Sequence, residues 1–251
     1  MKRAGRTNLC TLVAALLLTA AGCVTKYATK FAYTPSGLVS ADAAAPLLPL
    51  RVAVRPFQDF RGFKVVDHSL LGLVPLVPYG TKSYDRPERT DTQPSFIFNP
   101  ARDFPRALVD ELRQNGFFQE VVYDSGADER DVDLIVSGRV TSTRFVKKRM
   151  TYGLSVFITG GLDLFLALAG LPYEIYECAV SFTVEARRAS DDIVVWLHEV
   201  EDSRLNFVGV YYGGGRYDNF AILLRQGLHA AMESLENEIR TRDLSYWKGG
   251  P

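Results

Sequence analysis

The segment IYECAVSFTVEARR, residues 175–188, constrains the fold of this chain more than any other segment. Its apolar and polar residues alternate strictly, which is the pattern of a β-strand with one buried face. The buried face would carry Tyr176, Cys178, Val180, Phe182 and Val184. Cys178 is therefore expected to be a small apolar residue of the core rather than a reactive thiol.

Two segments with helical patterns could cover that buried face. The first, NPARDFPRALVDELRQNG, has Asn99 or Asp103 as its cap, prolines only near its start, and Gly116 as its end. The second closes the chain and begins at Asp218 or Asn219. Its apolar residues recur at helical spacing: Phe220, Leu223, Leu224, Leu228, Ala231, Leu235 and Ile239.

Further strand patterns lie at Val52–Val54, from Val121 to Tyr123, in VDLIVSGRVTSTRFV, and in IVVWLHEVEDSRL after a hairpin turn at ASDDI. The order of elements predicts a single α+β domain over residues 51–251. We expect a mostly antiparallel sheet with two helices packed on one face. Two apolar insertions, at residues 60–98 and 150–174, interrupt the domain, and the first has no regular pattern.

The amino terminus has the features of an export signal. The basic segment MKRAGR precedes an apolar run from Leu9 to Leu18, which is too short to span a bilayer comfortably. A signal that ends in small residues, Gly and Cys, as in TAAGC, resembles the bacterial lipoprotein signal. The resemblance implies cleavage between Gly22 and Cys23 and acylation of Cys23. The alternative is an ordinary secretory signal in which the Cys occurs by chance.

The lipoprotein interpretation divides the chain into a signal peptide at residues 1–22, a lipidated Cys with a flexible tether at 23–50, and the domain. Several acyl chains would anchor the protein to a membrane permanently. Val24 stands where an Asp tends to retain lipoproteins in the inner membrane of enteric bacteria. The expected location is therefore the inner leaflet of the outer membrane, facing the periplasm.

The opening strand VAVRPFQDFRG, the helix segment ALVDELRQNGFFQEVV and the strand VDLIVSGRV cover roughly residues 51–141. Their order and motifs resemble a group of envelope lipoproteins that includes the curli secretion channel lipoprotein. The amino-terminal domain of the Tol-system propeller protein shares that fold. The resemblance implies a non-catalytic role in the envelope. The curli channel forms a barrel from hairpins of alternating polarity, and neither apolar insertion here alternates in that way.

Residues 153–172 form the most unusual segment, with Asp163 as its single charge. A membrane-spanning helix, an interfacial helix or hairpin, and a helix buried in the domain or a subunit interface all remain open. The segment LLGLVPLVPYG raises the same question. The residues expected to contact membrane or partner are Leu70, Leu71, Leu73, Val74, Leu76, Phe157, Ile158, Leu162, Phe165 and Leu166, with Lys147, Lys148 and Arg149 placed to meet lipid phosphates.

The composition excludes several classes of function. The 29 basic and 29 acidic residues leave no basic excess of the kind that nucleic-acid-binding proteins carry. The three histidines have no mutual metal-ligand spacing, and the glycine-rich turn before the last helix lacks a phosphate-binding motif. We expect no catalytic residue, no metal site and no cofactor.

These observations favour a lipid-anchored module that acts by binding, as an accessory or assembly factor with a protein partner or a second copy of itself. The alternative is an oligomeric secretion or pore component whose 153–172 segment is inserted in the membrane.

Overall fold

The computed structural model describes residues 29–37, 48–89, 96–123, 132–153, 162–213 and 217–249. The strands are β1 Thr29–Lys30, β2 Leu48–Val54, β3 Gln58–Asp59, β4 Val65–His68, β5 Tyr79–Tyr84, β6 Phe96–Ile97, β7 Phe118–Tyr123, β8 Leu134–Ser142, β9 Phe145–Met150, β10 Glu174–Arg188 and β11 Val194–Val208. The helices are α1 Pro100–Asn115, α2 Leu162–Leu168, α3 Asp218–Thr241 and α4 Leu244–Lys248, with 3-10 helices at Ser69–Leu73 and Pro87–Arg89.

The alternating segment forms β10, a strand of 15 residues that lies at the centre of the sheet. Every second residue from Tyr176 to Ala186 is buried, and Cys178 is fully buried among them. One side of β10 pairs with β11 from Glu174↔Val208 to Arg187↔Val194. The predicted hairpin turn between these strands is confirmed.

The other side of β10 pairs with two strands in succession. β8 pairs with its carboxyl-terminal half and β9 with its amino-terminal half. The break between β8 and β9 lies at residues 143–144, where the backbone N–H of Ala179 donates to the Arg144 carbonyl at 2.8 Å. The segment predicted as one strand is therefore two strands that follow each other along β10.

The sheet is mixed, which corrects the expectation of a mostly antiparallel sheet. β2 pairs in parallel with β7 and with β8, and β3 pairs in parallel with β8. The reason is that the long connection from β2 to β7 ends in α1, which returns the chain so that β7 runs beside β2 in the same direction. The α+β class itself is confirmed.

Helices α1 and α3 contact each other and pack over the buried face of β10. Phe104 of α1 meets Phe182 of β10 edge to face, with ring centroids 5.3 Å apart. Asn99 caps α1 and donates its backbone N–H to the Asp103 carboxylate at 2.7 Å, and Gly116 ends the helix at φ 64°. The predicted cap of α3 is wrong, because Tyr217 is the N-cap and its side chain makes no capping hydrogen bond.

The predicted insertion at residues 60–98 contains β4 and β5, which extend the sheet beyond β9. Buried Arg61 holds this region through ion pairs with Asp59 at 3.0 Å and Glu88 at 2.8 Å and a hydrogen bond to Thr143 at 2.7 Å. Polar contacts of this kind leave no hydrophobic period in the sequence, so the strand pattern was not visible.

Part of the expected flexible tether lies against the domain. β1 pairs in parallel with β6, and the ring of Phe31 packs 5.0 Å from that of Phe98. Further along, the buried carboxyl of Glu111 in α1 accepts hydrogen bonds from the Tyr33 hydroxyl and from the Ser36 N–H at 2.7 Å and hydroxyl at 2.9 Å. We call residues 29–37 the amino-terminal strap.

A first prediction concerns Cys178. Burial raises the pKa of its thiol to about 12, so the thiolate is scarce near neutral pH. We expect iodoacetamide at about pH 8 to leave Cys178 unmodified in the folded protein and to alkylate it in denaturant. The matched control is Ser181→Cys, on the opposite face of the same strand, which should react in the folded protein. Rapid reaction of Cys178 under native conditions would contradict its place in the core.

A second prediction concerns the strap. Burial first, and then the hydrogen bond and charge of Glu111, raise the pKa of Tyr33 above its ordinary value of 10.0. The unfolded chain therefore ionises first, so the contribution of Tyr33 is complete below about pH 10 and falls as the pH rises further. Tyr33→Phe should lower the free energy of unfolding by about 1–3 kcal/mol at neutral pH and flatten the alkaline decline. Urea unfolding at a series of pH values measures the free energy of unfolding and its alkaline decline. The control is Tyr79→Phe, because Tyr79 is an exposed tyrosine. If the free energy of unfolding fell equally steeply with rising pH in Tyr33→Phe and in Tyr79→Phe, the contact between Tyr33 and Glu111 would be refuted.

Candidate contact surface at one end of the sheet

The apolar part of the first insertion, residues 69–79, and the second insertion both leave the sheet at the same end. The register pairs Tyr79 with Met150, Arg149 with Glu174, and Glu174 with Val208, so β5, β9, β10 and β11 all begin or end there. We call this end, with residues 69–79, 149–153, 162–173 and 208–213, the loop end. The antiparallel register thus brings together segments that lie far apart in the sequence.

Backbone hydrogen bonds join the first apolar segment to the second. The Leu76 N–H donates to the Gly153 carbonyl at 3.0 Å, and the Thr151 and Tyr152 N–H groups both donate to the Pro78 carbonyl at 2.9 Å. Leu76 and Tyr152 have φ angles of 69° and 53°, a backbone region that non-glycine residues rarely occupy. This strain lies where the two segments meet.

A third segment, residues 208–213, completes the loop end. The Tyr211 hydroxyl donates to the Leu168 carbonyl at 3.0 Å, and the Tyr212 hydroxyl donates to the Gly170 carbonyl at 3.0 Å. The Tyr173 N–H donates to the Val208 carbonyl at 2.9 Å. Sequence reasoning missed this segment because VYYGGGRYDN was interpreted only as the glycine-rich turn before the last helix, although its tyrosines were a usable signal.

The backbone of the first apolar segment lies very close to the backbone of β5 at Gly80. A Cβ atom on Gly80 would lie 2.3 Å from the Ser69 carbonyl oxygen, and one on Gly72 would lie 2.9 Å from the Gly80 backbone nitrogen. The 3-10 helix Ser69–Leu73 therefore lies directly on β5, and only glycine fits at this contact.

The loop end exposes many large apolar side chains. The exposed fraction is 75% for Leu70, 89% for Leu76, 66% for Phe165 and 70% for Tyr211. Nine further apolar or aromatic side chains are exposed here: Leu71, Leu73, Val74, Tyr79, Leu168, Leu171, Tyr173, Val210 and Tyr212. Of the other predicted contact residues, Leu166 is half-buried, while Phe157, Ile158 and the side chain of Leu162 lie outside the described residues.

The predicted basic run is largely neutralised by ion pairs across the sheet. Lys147 pairs with Glu174 at 2.5 Å, and Lys148 pairs with Glu177 at 3.2 Å. Arg149 is exposed and forms no ion pair with any residue in the ranges that the structure describes. The three cations therefore do not form a common positive patch.

A cavity of about 280 Å³ opens at the loop end beside α2. Apart from Arg149 its lining is apolar or aromatic, so it extends the apolar surface inward; the other lining residues are Met150, Tyr152, Ala167, Pro172, Tyr173 and Val210. Among the described residues, no group of three His, Cys, Asp or Glu side chains is placed to bind a metal ion. None of the helices formed by those residues is both long and apolar enough to cross a membrane.

Neither a protein-family profile nor a curated protein matches this chain. The chain is similar to protein XCC0632 from Xanthomonas campestris, of family DUF330, with 12% identity, a TM-score of 0.44, and coverage of 85% of this chain and 94% of that chain. It is also similar to a PelC dodecamer from Paraburkholderia phytofirmans, with 14% identity, a TM-score of 0.37, and coverage of 76% and 94%. A third structure is a putative neuraminyllactose-binding hemagglutinin homolog from Helicobacter pylori, with 8% identity, a TM-score of 0.38, and coverage of 85% and 97%. Similarity at this level carries no argument about the function of this chain.

A third prediction tests the glycine contact. Gly80→Ala should lower the free energy of unfolding by about 1–3 kcal/mol, because the added methyl group collides with backbone that cannot rotate away. It should also speed proteolysis within residues 69–79, since the 3-10 helix must move off β5. Ser83→Ala, in the same strand, should change neither quantity appreciably. A Gly80→Ala protein with natural stability and cleavage rate would show that the contact does not hold this segment.

Proposed function

We propose that this protein is a lipid-anchored component of the bacterial envelope that acts by binding, as a non-catalytic accessory or assembly module at the outer membrane. The observation that carries the proposal is the exposed apolar surface of the loop end. Soluble monomers seldom leave a contiguous apolar surface of this kind open to water, and larger ones mark sites of protein or membrane contact. The surface also carries four exposed tyrosines, and tyrosine is a residue type enriched in interfaces. They are Tyr79, Tyr173, Tyr211 and Tyr212.

The amino-terminal signal supplies the second part of the proposal. The basic segment, the apolar run and the Gly22–Cys23 pair are the features that lipid modification requires. Acylated Cys23 would attach the domain to the periplasmic surface of a membrane. The loop end would then be available to a protein partner, to a second copy or to lipid.

The charged groups of the domain support binding rather than catalysis. Buried Arg61 forms ion pairs with Asp59 and Glu88. Buried Glu111 accepts hydrogen bonds from Tyr33 and Ser36. The ring of His198 stacks on that of Trp196 with centroids 6.2 Å apart, and burial lowers the pKa of His198. These groups hold elements of the fold together.

Metabolic labelling tests the lipid. The natural protein, expressed in a Gram-negative host with a clickable palmitate analogue, should incorporate the label at Cys23. Cys23→Ser should abolish labelling, whereas Cys10→Ser, within the expected signal peptide, should retain it. Labelling that survives in Cys23→Ser would refute the anchor.

Fractionation tests whether the lipid is the whole membrane attachment. A Cys23→Ser chain whose residues 1–22 are exchanged for a cleavable secretory signal should appear in the soluble periplasmic fraction. The natural protein should stay with membranes after an alkaline carbonate wash. Retention of the exchanged chain in washed membranes would instead favour insertion of the 153–172 segment.

A further inference from the structure

Thr29 is the first residue after Cys23 that the structure describes, and its neighbours fix its level along the sheet. Thr29 pairs with Phe96, and the ring of Phe96 stacks on that of Tyr217 with centroids 4.3 Å apart. Tyr217 in turn lies 5.1 Å from Phe145, which pairs with Cys178 in β10. Thr29 is therefore at about the level of Cys178 along the sheet.

From Thr29 to Ser36 the strap runs away from the loop end. From Thr29 the strap runs to Ser36, which is held by Glu111 in the second half of α1. Helix α1 ends beside the start of β2, where the Leu48 N–H donates to the Phe117 carbonyl at 3.0 Å. That is the end of the sheet opposite the loop end, so the strap, followed backwards from Ser36 to Thr29, runs towards the loop end.

The length of chain before Thr29 decides which end of the domain can face a membrane. Thr29 follows Cys23 by six positions, which span at most about 21 Å. From the level of Cys178, β10 continues four residues to Glu174 at the loop end, or about 14 Å. In the other direction it continues ten residues to Arg188, or about 34 Å. The anchor can reach the plane of the loop end and cannot reach that of the opposite end.

The chemistry of the loop end matches the boundary between lipid headgroups and acyl chains. Its exposed residues are leucines, a phenylalanine and tyrosines, and tyrosine is enriched where one end of a ring is in lipid and the other in water. Lys147 and Lys148 are neutralised by Glu174 and Glu177, so Arg149 is the one cation of the predicted basic run that has no ion pair among the described residues. Contact therefore depends more on burial of apolar side chains than on attraction of a single arginine to anionic headgroups.

From this geometry we infer that the loop end lies on the same lipid leaflet that holds the Cys23 anchor. In this orientation the interfacial layer receives the side chains of Leu70, Leu76, Phe165 and Tyr211. β10 runs away from the bilayer, from Glu174 near the lipid to Arg188 remote from it. The inference rests on the proposed lipid anchor and names the lipid surface as the partner of the loop end.

Depth-dependent quenching tests this orientation. The full lipidated protein is reconstituted into phosphatidylcholine vesicles whose acyl chains carry bromine, with NBD attached to Leu76→Cys. Because Cys178 is fully buried and Cys23 is acylated, the introduced thiol is the one available for labelling. We expect the NBD emission to shift to shorter wavelength and to lose most of its intensity relative to vesicles without bromine. Leu197→Cys is the matched control, since Leu197 is also an exposed leucine but lies in the half of β11 remote from the loop end, and its label should not be quenched.

The outcomes separate this inference from the proposed function. A protein that floats with the vesicles while its Leu76 label is unquenched is anchored, but its loop end faces water or another protein, and the inference is overturned. Equal quenching at both positions would show that the domain lies on its side, which also overturns it. A protein that does not float with the vesicles lacks the lipid anchor, and then the proposed function fails as well.

Discussion

The pairing of β10 organises the whole domain. Its 15 residues pair with β11 on one side and with β8 and β9 in succession on the other, so that β2 and β7 extend one half of the sheet and β5 and β4 the other. Its alternating side chains direct one face towards α1 and α3, where Phe182 and Val184 are buried. A shift of one residue in this register would bring Glu177 and Glu185 into the core, and the apolar face of the sheet would be lost.

The same register creates the surface on which the proposed function depends. Because Glu174 lies opposite both Arg149 and Val208, the loops before β10, after β9 and after β11 must leave the sheet together. Three segments that are individually too short or too irregular to form a core thus become one apolar surface. The strap bears on the orientation proposed for that surface, because its contacts with Phe98 and Glu111 fix the chain from Phe31 to Ser36 against the domain.

Local patterns predicted the elements whose stability comes from burial of one face. The alternation in β10, the helical spacing in α3 and the terminating Gly116 in α1 are all present in the structure. The patterns failed where polar or glycine contacts replace apolar periodicity. Arg61 holds β4 and β5 in place through Asp59 and Glu88, and Gly80 admits the 3-10 helix, and neither arrangement has a local signature.

The sequence by itself determined the half-buried strand, the two principal helices and the α+β class, because hydrophobic period is a property of neighbouring residues. It also identified the apolar segments 70–76 and 153–172 as unusual. Only the tertiary structure decided that β2 runs parallel to β7 and β8, that Lys147 and Lys148 are paired with glutamates, and that the apolar segments meet at one end beside Tyr211 and Tyr212. These features depend on strand register and on contacts between residues distant in the chain, which local pattern does not encode.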